Sequence, residues 1–198
     1  MREIEQTPAE VSPAVAPLVL LRTVVMVGMM GAGKTAVGRA LGARLAVPFI
    51  DSDAEIETAA NLSVPEIFDR DGEAFFRARE SEIIARLLSG PPGILSVGGG
   101  AFLSAENRDL ISAHGVSVLL DADVDLLWSR VKHKDTRPLL RTADPKATLT
   151  ALFAARVPIY AQADLTVPCE AGLSIEAMAQ RVVTTLLSRR DVLVAKDA

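Results

Sequence analysis

Along the chain, short apolar and β-branched runs alternate with stretches whose apolar positions recur every three or four residues. The runs Thr23–Val27, Phe49–Ile50, Gly93–Val97, Ser117–Leu120 and Leu165–Pro168 read as strands. Helical patterning falls near Lys34–Leu45, Ala54–Ala60, Val64–Arg70, Glu73–Leu88, Ala105–Ser112, Asp123–Lys132, Lys146–Gln162 and Ser174–Ser188. Val37, Leu41 and Leu45 recur at every fourth position and place one apolar stripe on the first helix. Val24-Val25-Met26-Val27 is apolar without interruption, as a strand buried on both faces requires. Repeated β-α alternation implies an α/β fold: a parallel sheet with helices on both faces.

Composition narrows this without changing it. With 198 residues, 49% hydrophobic and 23% charged, the chain is the size of one domain with a core of its own. Residues 1–21 hold Pro8, Pro13 and Pro17, lack a helical period and are expected to form a flexible arm. Residues 22–190 form the domain and 191–198 a mixed-charge tail. The apolar run 14–21 is far shorter than the roughly 20 residues that span a bilayer. The acidic stretch Met1–Glu10 is unlike a secretory leader, so no membrane partner and a cytoplasmic location are expected. A net charge of −4 argues against a nucleic-acid partner. The single cysteine, Cys169, excludes an intramolecular disulfide and a four-cysteine zinc site. His114 and His133 have no neighbouring ligand cluster, and Met26, Met29, Met30 and Trp128 read as core or pocket filling. A monomer is expected.

Candidate chemistry begins after the first strand. Gly28-Met29-Met30-Gly31-Ala32-Gly33-Lys34-Thr35 fits G-x-x-x-x-G-K-[ST] in full, between an apolar strand and an amphipathic helix. In such a loop the backbone of Gly28, Gly31, Ala32 and Gly33, continuing into Ala36, turns N–H groups toward phosphate oxygens at a helix N-terminus. Lys34 reaches the β- and γ-phosphates and the Thr35 hydroxyl sits on Mg²⁺, which makes ATP with Mg²⁺ the expected cofactor pair. A Gly-rich turn that merely happens to hold Lys and Thr is the plainer alternative, and the strand–loop–helix context weighs against it.

Phe49-Ile50-Asp51-Ser52-Asp53 ends the second strand with two carboxylates one residue apart. Residues i and i+2 of an extended segment point the same way, so both acids can face one site. One then helps to hold Mg²⁺ and the other accepts a hydroxyl proton, or either simply caps the following helix. On the helix ending at Leu88, taking Ile83 as zero at 100° per residue puts Leu87 near 40°, Ile84 near 100° and Leu88 near 140°. Glu80 at about 60° and Arg77 at about 120° fall inside that apolar arc, whereas Arg79 falls outside it. Charges on a buried face need partners, so Glu80 either orients Arg77 toward an anionic group or forms a purely structural pair with it. Gly98-Gly99-Gly100 after the third strand allows close approach of a ligand, or is a plain turn. The proline-interrupted basic stretch 131–141 reads as a closing lid with Arg137 its best phosphate-side candidate, or as a solvated charge run. Arg130 is a nucleotide neighbour in this reading, and Arg156 a second basic group for the acceptor.

These residues together resemble the shikimate kinase family. The resemblance rests on GMMGAGKTAVGRALGARLAVPFIDSDAEIE, IFDRDGEAFFRARE, LSVGGGAFL, RPLL and RVPIYAQAD, which in order and spacing span Val24 to about Val167. It implies a P-loop kinase fold with a five-stranded parallel sheet in the order 2-3-1-4-5 and a mobile lid. It implies transfer of the γ-phosphoryl of ATP to the 3-hydroxyl of shikimate, on the way to chorismate and the aromatic amino acids. Asp53 then matches the acid that contacts the substrate hydroxyls, Asp51 the magnesium-associated acid, and Arg77 and Arg156 the carboxylate-binding arginines. Gly99 with Gly100 matches the backbone contact, beside Gly98 as a further substrate-binding candidate; Glu80 matches the acid orienting Arg77, Arg137 the lid arginine, and Arg130 the adenine-side arginine. Two departures stand out: no arginine occurs in Pro168–Ser174, and Ala36 replaces a frequent threonine. A gluconate kinase and a nucleotide-binding regulator without turnover are the competing readings. Paired arginines with an aspartate weigh against the first, and the full candidate set against the second.

Overall fold

Strand β2 (Thr23–Val27) is buried at every position and forms the middle of the sheet. The computed structural model describes residues 17–133 and 138–196. On one side β2 pairs in parallel with β4 (Ile94–Ser96), which pairs with β3 (Phe49–Asp51). On the other it pairs with β5 (Gly115–Asp121), which pairs with β6 (Leu165–Pro168). The order β3-β4-β2-β5-β6 is the expected 2-3-1-4-5 once counting starts at β2. The chain leaves β2, skips over β4 to build β3, and crosses back over β2 between β4 and β5. That reversal opens a crevice at the carboxyl end of β2, the place where open α/β sheets bind ligands.

The helices are α1 (Lys34–Leu45), α2 (Ser52–Ala60), α3 (Val64–Leu88), α4 (Ala105–His114), α5 (Val124–Val131), α6 (Pro145–Tyr160) and α7 (Ile175–Leu186). A main core packs around the sheet. A smaller cluster of Ile56, Ile67 and Phe76 holds α2 against the first half of α3, beside the crevice. The two helices expected over 64–70 and 73–88 join as α3 with a kink at Gly72, whose φ of 83° and ψ of 168° are not helical. The N-terminus of α3 is fixed by a reciprocal capping box between Ser63 and Glu66, with proline in its first turn.

Two expectations are corrected at the chain ends. Leu18–Leu20 (β1), placed within the flexible arm, pairs antiparallel with Leu193–Ala195 (β7), placed within the tail. Backbone hydrogen bonds from Leu21 N–H to Val192 and from Lys196 N–H to Pro17 extend the pairing. The strands are three residues each and form only because distant segments meet, so no local period marks them. Among the described residues no helix is long and apolar enough to cross a membrane.

Candidate active site

The phosphate loop runs from β2 into α1. Gly31 and Gly33 adopt φ of 84° and 100°, in the left-handed region that a side chain disfavours, and Gly33 occupies the helix N-cap. Their conformations turn the loop around a cleft of about 550 Å³ lined by Gly31, Ala32, Gly33, Lys34, Thr35 and Ala36, with Asp51, Asp53, Gly98, Gly99 and Arg130. Lys34 Nζ donates to the carbonyls of Gly28 at 2.8 Å and Met29 at 3.2 Å, which lays the side chain along the loop. Arg130, on the last turn of α5, donates to the carbonyls of Gly31 and Ala32, both at 3.2 Å, and braces the loop from outside.

The two acids at the end of β3 are arranged differently from the expected alternation. Asp51 is the last strand residue and caps α2, accepting from the Asp53 N–H at 3.1 Å, so Asp53 lies in the first helical turn. The cap starts the helix two residues earlier than the apolar pattern suggests, and the period-two argument fails there. Both acids nevertheless reach the cleft. Asp51 Oδ2 accepts from the Thr35 hydroxyl at 3.0 Å, so capping and contact with the phosphate loop are both realised. Asp53 Oδ1 is buried without a hydrogen-bond partner among the described residues. Burial, then the neighbouring Asp51 charge, push the Asp53 carboxyl above the usual aspartate range, with Lys34 and Arg77 pulling partly back.

The three-glycine turn after β4 is where the charged side chains converge. A methyl group on Gly98 would lie 2.8 Å from Asp53 Oδ1 and 3.1 Å from Glu80 Oε1. One on Gly100 would lie 2.6 Å from Arg77 Cζ, and one on Gly99 would face Arg156 Nη1 at 3.8 Å. At Gly98 and Gly100 a side chain would force these charged groups to shift, whereas at Gly99 the approach is ordinary contact. Arg77 donates to Glu80 Oε2 at 2.7 Å and to exposed Glu73 Oε1, and Glu80 is 1% exposed. The guanidinium also lies 5.2 Å from the Phe76 ring centre. The Arg77–Glu80 pair is therefore a structural ion pair that also faces the glycine turn. Arg79, expected in solvent, is exposed and pairs with Glu82. Beyond Gly100 a hollow of about 810 Å³ takes in Arg77 and Arg156.

The structure thus gathers Lys34, Thr35, Asp51, Asp53, Gly98, Gly99 and Arg130 around the phosphate-loop cleft and Arg77, Gly100 and Arg156 around the second hollow, the glycine turn lying between the two. Gly28 sits beneath the loop as a Lys34 acceptor, and Arg137 lies outside the described residues. Two features escaped the sequence. Leu173, Ser174, Ile175 and Met178, at the start of α7, form one wall of the phosphate-loop cleft. Their only sequence signal is an apolar helix start, which reads equally as core. Tyr160, at the end of α6, donates a short hydrogen bond from its hydroxyl to the carbonyl of Gly99. It sits four residues from Arg156, and that spacing is the one cue that they share a helix face.

Comparison with known proteins agrees with this geometry. The family model described as shikimate kinase matches residues 30–187. The chain is 69% identical to a shikimate kinase of Ruegeria pomeroyi, over 88% of this chain and 89% of that one. It is 62% identical to one of Cereibacter sphaeroides, over 88% and 87%. The structure of shikimate kinase from Acinetobacter baumannii in complex with shikimate superposes with a TM-score of 0.81 at 37% identity, over 86% of this chain and 95% of that one. Phosphate loop, acid pair, glycine turn and paired arginines thus occur in a chain whose matched span contains all of them except Gly28 and Met29: the chain belongs to the shikimate kinase family.

Proposed function

We propose that the chain transfers the γ-phosphoryl group of Mg·ATP to the 3-hydroxyl of shikimate. One observation carries the reading. Arg77, Arg156 and a carboxylate oxygen of Asp53 that has no partner among the described residues all abut a single glycine turn, which separates the phosphate-loop cleft from the hollow lined by the two arginines. Two guanidinium groups suit the carboxylate of a small acid, and an aspartate suits its hydroxyls. The acceptor oxygen attacks the γ-phosphorus, the bond from that phosphorus to the bridging oxygen breaks, and ADP leaves with that oxygen. Asp53 takes the hydroxyl proton, and its raised pKa brings it nearer to the range in which a carboxylate works as a general base.

Lys34 leaves its loop carbonyls for the phosphates, and the backbone N–H groups of the loop hold the same oxygens. Arg137 completes the charge on the phosphate side in this reading. Arg130 and the apolar wall of Leu173, Ile175 and Met178 suit the planar base of the nucleotide. Thr35 and Asp51 offer a hydroxyl and a carboxylate side by side, the hard oxygen donors that Mg²⁺ takes in small number beside phosphates and water. A magnesium ion held there would supply charge neutralisation to the phosphates. In this reading the enzyme works as a monomer, in the cytoplasm where its phosphoryl donor ATP is held.

ADP formation, measured with shikimate, gluconate, a nucleoside monophosphate or no acceptor, tests the proposal. Release of ADP with shikimate alone is the expected result. Equal rates with gluconate, or no stimulation by any acceptor in protein that binds ATP, overturn it.

A further inference from the structure

Tyr160 is 2% exposed, and its hydroxyl is shared between two parts of the acceptor region that lie on different elements. It donates to the carbonyl of Gly99, in the turn after β4, and the Arg156 guanidinium, one helical turn earlier on α6, lies beside the same glycine and exerts an electrostatic pull on the phenol. A methyl group on Gly99 would lie 3.7 Å from the phenol oxygen and 3.8 Å from Arg156 Nη1, so all three meet at one point. A phenol has one proton to give and lone pairs to receive, which matches a carbonyl on one side and a guanidinium on the other. The Phe102 ring stacks beside it, with centres 6.4 Å apart, and limits the ring's own movement. Burial pushes the Tyr160 phenol up, with Arg156 pulling partly back, so it stays protonated and keeps its donor at any physiological pH.

We infer that Tyr160 is a positioning residue for the acceptor, its hydroxyl locking the Gly99–Gly100 peptide and the Arg156 guanidinium into one fixed relation. The peptide is planar and trans, so pinning the Gly99 carbonyl also fixes the Gly100 N–H, which points the opposite way. One hydroxyl therefore sets the direction of a backbone donor and of a cationic side chain at once. This rests on the proposed reading of the crevice as the shikimate site, in which both groups contact the acceptor.

Tyr160→Phe keeps the ring and removes only the hydroxyl. The KM for shikimate is expected to rise roughly tenfold, the scale of leaving one buried hydrogen-bonding group unsatisfied, while the KM for ATP stays within about twofold. In an Arg156→Ala background the same change costs less than it does alone, because the part of its effect that runs through Arg156 is already lost and only the part through Gly99 remains. An unchanged shikimate KM, or full additivity with Arg156→Ala, overturns the inference. Tyr160 is the chain's one tyrosine, so biosynthetic replacement by 3-fluorotyrosine gives a single fluorine resonance without altering the fold. That resonance is expected to move on addition of shikimate and not on addition of ADP alone. A resonance that ignores saturating shikimate in turning-over enzyme overturns the inference. Absence of shikimate-dependent ADP formation in the parent protein overturns the proposed function instead, so the two failures are told apart.

Discussion

Asp53 is held in a setting that disfavours its charge. Its Oδ1 is buried beside Gly98 without a hydrogen-bond partner among the described residues, and Asp51 adds a second negative charge close by. A carboxyl whose folded-state pKa is raised stabilises the fold below its unfolded value and loses that contribution as pH rises through the folded value. At neutral pH the ionised Asp53 therefore costs stability in the substrate-free protein. Asp53→Asn is expected to lower kcat at least a hundredfold, on the scale of losing a general base. It is also expected to raise the thermal midpoint at pH 7 by about 2–4 °C, the scale of 1 kcal/mol in a domain of this size. The difference in midpoint narrows on acidification, as the wild-type carboxyl takes up its proton. Calorimetry across pH together with turnover checks both; an Asn variant that is slower but less stable would contradict the assignment. At this scale the sequence discloses charges that break a pattern. Arg77 and Glu80 are legible because they interrupt an apolar arc, and a buried charge must be answered by a partner. Tyr160 is not, because a tyrosine among apolar helix residues fits the core equally well and its carbonyl partner lies in a distant turn. The relation of Asp51 to Asp53 is misread for a local reason: a single cap turns strand into helix between them.

Elements set how closely these side chains meet. The turn after β4 is the tightest junction, with Asp53 and Glu80 against Gly98, Arg156 and Tyr160 against Gly99, and Arg77 against Gly100. A Cβ at Gly100 would be 2.6 Å from Arg77 Cζ, inside any permissible contact, so Arg77 must move. Its exit is restricted by the 2.7 Å ion pair to buried Glu80. Gly100→Ala is thus expected to raise the shikimate KM more than about tenfold, a displacement of order 1 Å in a positioning group. The KM for ATP, whose proposed site is the phosphate loop across the turn, is expected to change little. Steady-state kinetics with each substrate varied in turn decides this, and a matching rise in both values would show that the turn serves the fold rather than the acceptor. Most elements are legible because β-branched runs and four-residue periods are strong, local signals. Even the break near residue 71 is visible as two patterns, which the structure joins through the kink at Gly72. The wall formed by Leu173, Ile175 and Met178 is not legible, since apolar side chains at a helix start declare burial without saying against what.

At the scale of the molecule, the parallel order follows from alternation and the handedness of its crossovers, whereas the joining of the chain ends does not. β1 and β7 clasp at the amino end of β2, and the crevice opens at its carboxyl end, so the clasp lies across the sheet from the chemistry. Arg22 supports it there, donating to the carbonyls of Ser112 and Ala113 and pairing with Asp191 at 3.6 Å. Leu193 is 1% exposed and packs in the main core with Leu20 and Val192. Truncating it removes buried methyl groups and leaves a cavity that three-residue strands can partly close. Leu193→Ala is therefore expected to cost about 2–3 kcal/mol, the lower part of the range for such changes, and to lower the thermal midpoint by about 5–10 °C. Neither KM should move, because the phosphate loop and glycine turn are anchored by β2 and β4, whose pairing does not involve β7. Thermal unfolding beside kinetics at 25 °C separates the two effects. A variant that keeps its midpoint would show the clasp to be ornamental to stability, and a shifted KM would show that the clasp reaches the site through the sheet.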